Sequence, residues 1–243
     1  MRLIRAADAA AAAAIAADEI ADACRRAVAE RGQAIIAVSG GETPWLMLEH
    51  LRTLDLPWNR VHVAQVDERV APRGDPRRNL TRLERILVDE GPLPRGQLLA
   101  MPVEAGDSGV AAMEYQRRLE TVAGRPLTLD LVQLGLGTDG HTASLLPGDP
   151  VLEVIDRDVA TSLPYQGQPR MTLTYPALDR ARRRLWLVTG ATKAASLAGL
   201  LAGYPASDAP ASRVSRADAV VVADEPTLAV GRDPAPTGDR YRG

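Results

Sequence analysis

The chain has 243 residues, 46% of them apolar and 25% charged, which suits one α/β domain with a sizeable core. Its 29 basic and 31 acidic side chains leave a formal net charge of −2, which provides no basic surface for nucleic acid. One cysteine, Cys24, excludes an intrachain disulfide and any multi-cysteine metal site.

The N-terminal "MRLIRAADAAAAAAIAADEIADAC" contains an uncharged run from Ala9 to Ala17 that holds one Ile and otherwise only Ala. Asp18, Glu19 and Asp22 follow at once, so the run is too weakly apolar for a secretory signal. No stretch approaches the roughly 20 apolar residues of a membrane span, and a cytoplasmic protein with no membrane partner is expected. Residues 7–30 read instead as an Ala-rich helix ending at Gly32, with Cys24 a buried structural thiol. "QAIIAV" (33–38) is a short strand running into "SGGETP", and 44–54 is helical. "RVHVAQVDE" (60–68) is a second strand, and 78–88 and 109–124 are helices. "LTLDLVQLGLG" (127–137) is the most strand-like segment. "RMTLTY" (170–175) and "RRLWLVTG" (183–190) supply two more strands, 192–203 a helix, and "DAVVVAD" (218–224) a last strand. The last dozen residues, rich in Gly, Pro, Asp and Arg, are expected to fray. No repeat or long linker divides 1–243, which reads as one domain.

Strands alternating with helices imply βαβ units, a mainly parallel sheet and right-handed crossovers. In such sheets ligands bind beyond the carboxyl ends of the strands. The polar clusters fall there: Ser39–Thr43, Asp67–Arg69, Gly135–His141 and Thr189–Lys193 each follow a strand. One site assembled from several strand ends is expected.

Each cluster has its own chemistry. In "SGGETP", Ser39, Gly40 and Gly41 join a strand to a helix that Pro44 can begin. That arrangement suits an anion at a helix N-terminus, although taken alone it is also an ordinary glycine turn. The spacing is neither that of a Walker loop nor that of a dinucleotide fingerprint. Asp67 and Arg69 point to one side of their strand and Glu68 to the other. The acid could accept sugar hydroxyls and the guanidinium could hold a phosphate; a solvated charge cluster is the alternative. In "GLGTDGHTASLLPG", Gly135, Gly137 and Gly140 allow close backbone approach. Asp139 sits two residues before His141 and could fix its tautomer while His141 takes a proton from water. Thr142 or Ser144 could cap a short helix there. His50 and His62 offer no metal-ligand spacing, and no G-x-S-x-G occurs. Arg170 and Lys193 each read alone as surface charges; as an addition to a strand-end pocket, either could complete a phosphate clamp.

These stretches in this order, "SGGETP" (39–44), "DER" (67–69), "LGLGTDGHTASLLPG" (134–148), "PRMTLT" (169–174), "TGATKA" (189–194) and "PASRV" (210–214), resemble the 6-phosphogluconolactonase family within the wider glucosamine-6-phosphate isomerase/lactonase group. The resemblance implies a Rossmann-like three-layer α/β/α fold, hydrolysis of 6-phospho-D-glucono-1,5-lactone in the pentose phosphate pathway, no metal and no organic cofactor. It implies His141 as general base, with Asp139 or Asp67 orienting or balancing it. It also implies a sugar-phosphate site built from Ser39, Gly40, Gly41, Thr43, Gly137, Arg69, Arg170 and Lys193, and leaves open which cation carries the phosphate. A monomer or weak homodimer is expected. After "DER" the family usually carries a more acidic stretch ending in Ser-Asn; here it reads "VAPRGDPRRNL", where Asn79 fits and Arg78 does not. The rival deaminase branch typically continues "IAFNEPG" and carries "DEY", against "TASLLPG" and "DER" here. A non-catalytic sugar-phosphate sensor would need a DNA-binding module that nothing in the sequence supplies.

Overall fold

The computed structural model describes residues 1–203 and 209–229. In chain order the elements are β1 (Arg2–Ala6), α1 (Ala9–Arg31), β2 (Ala34–Val38), α2 (Glu42–Leu51), β3 (Val61–Gln65), β4 (Asp67–Arg69), α3 (Asn79–Leu83), β5 (Leu98–Leu99), α4 (Ser108–Ala123), β6 (Leu131–Leu134), β7 (Val159–Tyr165), β8 (Gln168–Leu173), α5 (Tyr175–Arg180), β9 (Arg184–Val188), α6 (Ala194–Ala202), β10 (Ala219–Asp224) and α7 (Glu225–Ala229). Seven strands form one sheet in the order β1-β10-β9-β6-β2-β3-β5, and every pairing in it is parallel.

Strand alternation divides the apolar residues between two cores. On β2, Ile36 and Val38 face one side with α1 and α2, while Ile35 and Ala37 face the other with α4. α1 begins where the Asp8 carboxylate accepts the Ala11 N–H at 2.8 Å. Its buried face is mostly alanine, from Ala12 to Ala27, so the helix backbone lies close to the sheet and to α2. Trp186 and Tyr115 fill the opposite core. This is the three-layer α/β/α arrangement that the resemblance implies, built on the mainly parallel sheet that the alternation of strands and helices implies. No helix among the described residues is long and apolar enough to cross a membrane.

The structure corrects several local expectations. The predicted strand 60–68 is two strands in two sheets, broken at Val66. There the Val66 N–H donates to Val38 O at 3.0 Å, inside the parallel sheet, while its carbonyl accepts the Leu173 N–H at 2.8 Å, from a second sheet. That second sheet is antiparallel, with the order β4-β8-β7. The predicted strand at 170–175 belongs to it, and its partner β7 was unforeseen. β1 was also unforeseen: residues read only for their targeting potential form the sheet's edge. The helix expected at 78–88 is five α-helical residues followed by a π-helical turn, Glu84–Asp89. No helix follows His141, so neither Thr142 nor Ser144 is a cap; Thr142 and Leu145 pair in an isolated bridge. The expected frayed tail lies outside the described residues.

Cys24 is buried as expected. Burial, reinforced by the Asp130 carboxylate and only partly opposed by Arg25, pushes its thiol up to about 12. A thiol-reactive disulfide reagent at pH 8 is therefore expected to leave the folded protein unlabelled over minutes and to titrate one thiol once denaturant is added. Fast native labelling would contradict this packing.

Candidate active site

The chain leaves β2 outward through β3 and β5, then returns on the other side of β2 to form β6. The carboxyl ends of β2 and β6 therefore flank a topological switch point, where an open parallel sheet leaves a crevice. A cleft of about 540 Å³ opens there. Ser39, Gly40, Gly41 and Thr43 line it after β2, Asp67 and Arg69 from β4, and Gly137 and His141 after β6. Arg170 lines it from β8 and Lys193 after β9. All the sequence-predicted site residues thus converge, with Asp139 reaching the cleft through His141. A larger hollow of about 800 Å³ lies at the opposite, amino ends of the strands. Most of its arginines are spent on acids: Arg2 on Glu19, and Arg31 and Arg182 on Asp130.

The loop after β2 is held by its neighbour strand. The Ser39 N–H donates to Gln133 Oε1 at 3.0 Å, and the Ser39 hydroxyl donates to Gln133 O at 3.1 Å. At Gly40 a Cβ would lie 2.0 Å from Asn79 Oδ1, so no other residue fits without displacing Asn79. Gly41 caps α2 without a side-chain hydrogen bond, leaving first-turn N–H groups unclaimed at the cleft wall. The Thr43 and Thr189 hydroxyls meet across the cleft at 2.6 Å.

His141 and Asp139 form the one close pair of a base and an acid here. His141 Nδ1 lies 2.5 Å from Asp139 Oδ1, and the His141 backbone N–H donates to the same oxygen at 3.2 Å. This contact assigns the proton to Nδ1 and leaves Nε2 as the acceptor. Burial works to raise the Asp139 pKa, but the attraction of His141 and its hydrogen bonds prevail, and the carboxyl is held below its usual value. Gly137 makes the pair possible: a Cβ there would lie 2.2 Å from His141 Nδ1 and 2.4 Å from Asp139 Oδ1. Asp67 is engaged elsewhere. It accepts from the Ser144 hydroxyl at 2.7 Å and lies 3.9 Å from Arg170 Nη1.

The three cations differ in how their charge is met. Arg170 is buried, stands beside Asp67, and lies over the Tyr165 ring at 4.9 Å; burial lowers its pKa and Asp67 opposes that. The Arg69 guanidinium donates, among the described residues, only to neutral oxygens, Arg77 O at 2.7 Å and Asn79 Oδ1 at 3.0 Å. Lys193, the only lysine of the chain, is half-buried, and desolvation lowers its pKa against the pull of Asp139.

Several supporting residues escaped the sequence reading. Glu68 is fully buried and accepts the N–H groups of Arg69, Asn79 and Leu80, each at 2.8 Å, and the Gln65 amide at 2.9 Å. Arg78, a departure from the family pattern, is buried between Glu68 and Glu104. Asp224 accepts from Gly190 N at 3.0 Å and Thr227 N at 3.0 Å, tying down the loop that ends at Lys193. An acid at a strand end was the available signal for Asp224, as it was for Asp67. Among the described residues no three His, Cys, Asp or Glu side chains converge as metal ligands.

Residues 7–223 match the family model described as glucosamine-6-phosphate isomerases/6-phosphogluconolactonase. The chain is 40% identical over 181 residues to a 6-phosphogluconolactonase of Synechocystis sp., covering 73% of this chain and 75% of that protein. It is 36% identical over 197 residues to a 6-phosphogluconolactonase of Mycobacterium tuberculosis, covering 76% and 80%. Among solved structures, the 6-phosphogluconolactonase of Thermotoga maritima superposes with a TM-score of 0.80 at 25% identity, over 92% of this chain and 98% of that one.

The Lys193 environment is testable without a substrate assay. A lowered amine pKa leaves more of the nucleophilic neutral form at a given pH, so an amine-acylating reagent at pH 8 is expected to modify Lys193 faster than a free lysine. Inorganic phosphate should slow that reaction if it enters the cleft. Peptide mapping reads both, and a rate no faster than free lysine in the absence of phosphate contradicts the placement.

Proposed function

The chain belongs to the glucosamine-6-phosphate isomerase/6-phosphogluconolactonase family, and from that premise we propose that this cleft hydrolyses 6-phospho-D-glucono-1,5-lactone to 6-phospho-D-gluconate, with His141 as general base. The observation that carries the role of His141 is the 2.5 Å contact between its Nδ1 and Asp139, against a glycine that alone leaves room for the pair. Nε2 takes a proton from water as the oxygen attacks the lactone carbonyl. Asp139 keeps the imidazole in that tautomer and balances the imidazolium. The tetrahedral intermediate collapses with cleavage of the bond between the carbonyl carbon and the ring oxygen, and the imidazolium returns its proton to that departing oxygen. One water is consumed and the base is regenerated. A δ-lactone is an activated ester, so positioning and one base suffice.

On this reading the phosphate sits against the backbone of Ser39–Gly41 and the open first turn of α2, where unpaired N–H groups favour an anion. Thr43, Arg69, Arg170 and Lys193 surround it and the sugar ring. Phosphate binding remote from the carbonyl supplies orientation to the reacting end. Asp67, held by Ser144 and Arg170, is placed to accept sugar hydroxyls. The reading includes a cytoplasmic enzyme acting as a monomer or weak homodimer.

The test is purified protein with freshly generated lactone, coupled to 6-phosphogluconate dehydrogenase with EDTA present and the spontaneous rate subtracted. Glucosamine-6-phosphate runs in parallel with ammonia as the readout. Lactone hydrolysis without ammonia release is expected, and the reverse would move the chain to the deaminase branch. His141→Ala is expected to lower kcat by about 10² to 10⁴ with an unchanged melting temperature. Full turnover by that variant would remove His141 from the mechanism. For Arg69→Ala and Lys193→Ala the division between KM and kcat identifies their partners. A rise in KM alone marks a hold on the ground-state phosphate, and a fall in kcat marks charge that develops at the carbonyl.

A further inference from the structure

The β7–β8 hairpin carries an irregularity that decides where one aromatic ring points. From Val159↔Leu173 to Ser162↔Arg170 the pairing is regular, but the next pair is Tyr165↔Gln168. Leu163 and Pro164 on β7 therefore oppose Pro169 alone on β8, which makes a β-bulge. Side chains alternate between faces, so one extra residue reverses the facing of all that follow it. Without the bulge Tyr165 would face away from Arg170. With it, Tyr165 stands on the same face as Gln168 and Arg170. The hairpin then closes with Gln166 at φ 53° and Gly167 at φ 78°. Two consecutive positive values form the tight two-residue turn that suits the twist of a hairpin, and they leave Tyr165 no freedom to move along the strand.

The ring so placed touches two site residues at once. It meets the His141 imidazole edge-on, with ring centroids 5.5 Å apart and planes at 61°. The Arg170 guanidinium lies over its face at 4.9 Å. Both arrangements are the favoured ones, edge to face for two rings and cation over face for a guanidinium. Arg170 Nε has no hydrogen-bond partner among the described residues, so the Tyr165 face lies against a buried cation that the surrounding oxygens only partly satisfy. The His141 ring is held at Nδ1 by Asp139 and on a ring face or edge by Tyr165, which together fix its rotation.

We propose that Tyr165 is a positioning residue, bulged into place to lock the His141 imidazole and the Arg170 guanidinium in one arrangement. This rests on the reading of His141 as the base. The working part is the aromatic ring, since both contacts are made by the ring.

The test compares Tyr165→Phe, which keeps the ring, with Tyr165→Leu, which removes it, in the lactonase assay with melting temperatures checked. The two ring contacts together predict that Tyr165→Leu loses about tenfold in kcat/KM, with kcat lowered and KM raised, while Tyr165→Phe stays within about twofold of the parent. A second readout needs no turnover. The chain has three histidines, so the proton on Cε1 of His141 is assigned in an NMR spectrum by its loss in His141→Gln. That resonance is expected to move in Tyr165→Leu and to stay in Tyr165→Phe. Parent kinetics and an unmoved resonance in Tyr165→Leu would overturn the assignment. So would a Tyr165→Phe variant as impaired as Tyr165→Leu, which would place the function in the hydroxyl. Full turnover by His141→Ala sinks the general base instead, so the two readings fail by different results.

Discussion

The cleft depends on one buried carboxylate that never faces it. Glu68 sits between Asp67 and Arg69, and strand alternation turns it inward while its neighbours turn to the ligand space. There it gathers three backbone N–H groups, an amide and the Arg78 guanidinium. Two of those N–H groups, from Asn79 and Leu80, open α3, where a helix start leaves donors unpaired and favours negative charge. Leaving such a charge uncompensated by removing a partner costs on the order of 3–5 kcal/mol, so the arrangement is close to all-or-none. Its consequence reaches the ligand through Asn79. The Asn79 amide donates to Asp67 O, its carbonyl accepts from Arg69, and its bulk lies against Gly40. One anion thus sets the start of a helix, an arginine of the cleft and the glycine loop opposite.

That link explains why two glycine motifs in different loops obey one rule. Gly40 and Gly137 are each forced small by a polar side chain pressed against the α-carbon, Asn79 in one case and the His141–Asp139 pair in the other. Glycine-rich loops at strand ends suggest backbone donors for an anion, and Gly41 at the open start of α2 fits that account. At Gly40 and Gly137 the cause is space for a neighbour. The motif reading found the right positions with only part of the reason.

What was legible followed from local pattern, and what was not came from tertiary pairing. The carboxyl-terminal ends of β2, β6 and β9 could be read because each apolar run stops at a glycine or polar cluster. The split at Val66 could not be read, since the apolar alternation continues through it and only the partners change, Val38 on one side and Leu173 on the other. The β7–β8 hairpin was hidden because "YQGQ" lacks the Asn-Gly or Asp-Gly signal and a bulge breaks its alternation. Arg78 looked like a mere departure from the family pattern because its two acidic partners, Glu68 and Glu104, are distant in sequence. Asp139 and His141 were legible as a pair because they are two residues apart, whereas Asp67 could be separated from them only when Ser144 and Arg170 were seen to occupy it.

The disposition of charge carries the mechanism one step further. Arg170 stands beside Asp67 and against Tyr165, while among the described residues the Arg69 guanidinium donates only to neutral oxygens and Lys193 feels Asp139 without an ion pair. Of the three cations at the cleft, Arg69 and Lys193 are therefore the two with no carboxylate within ion-pair distance among the described residues. The order β9-β6-β2-β3 places them on opposite flanks of the loop bearing His141, Lys193 after β9 and Arg69 beyond β3. A phosphorylated lactone is charged at one end only, and its other end is a neutral ester. Negative charge appears there as water attacks, first on the carbonyl oxygen and then as a carboxylate. Two cations on opposite flanks match that molecule better in the course of reaction than before it. On the proposed reading, whichever of them holds the phosphate would act on the ground state and the other would meet charge as it forms, which is the condition for accelerating the step rather than merely binding the substrate.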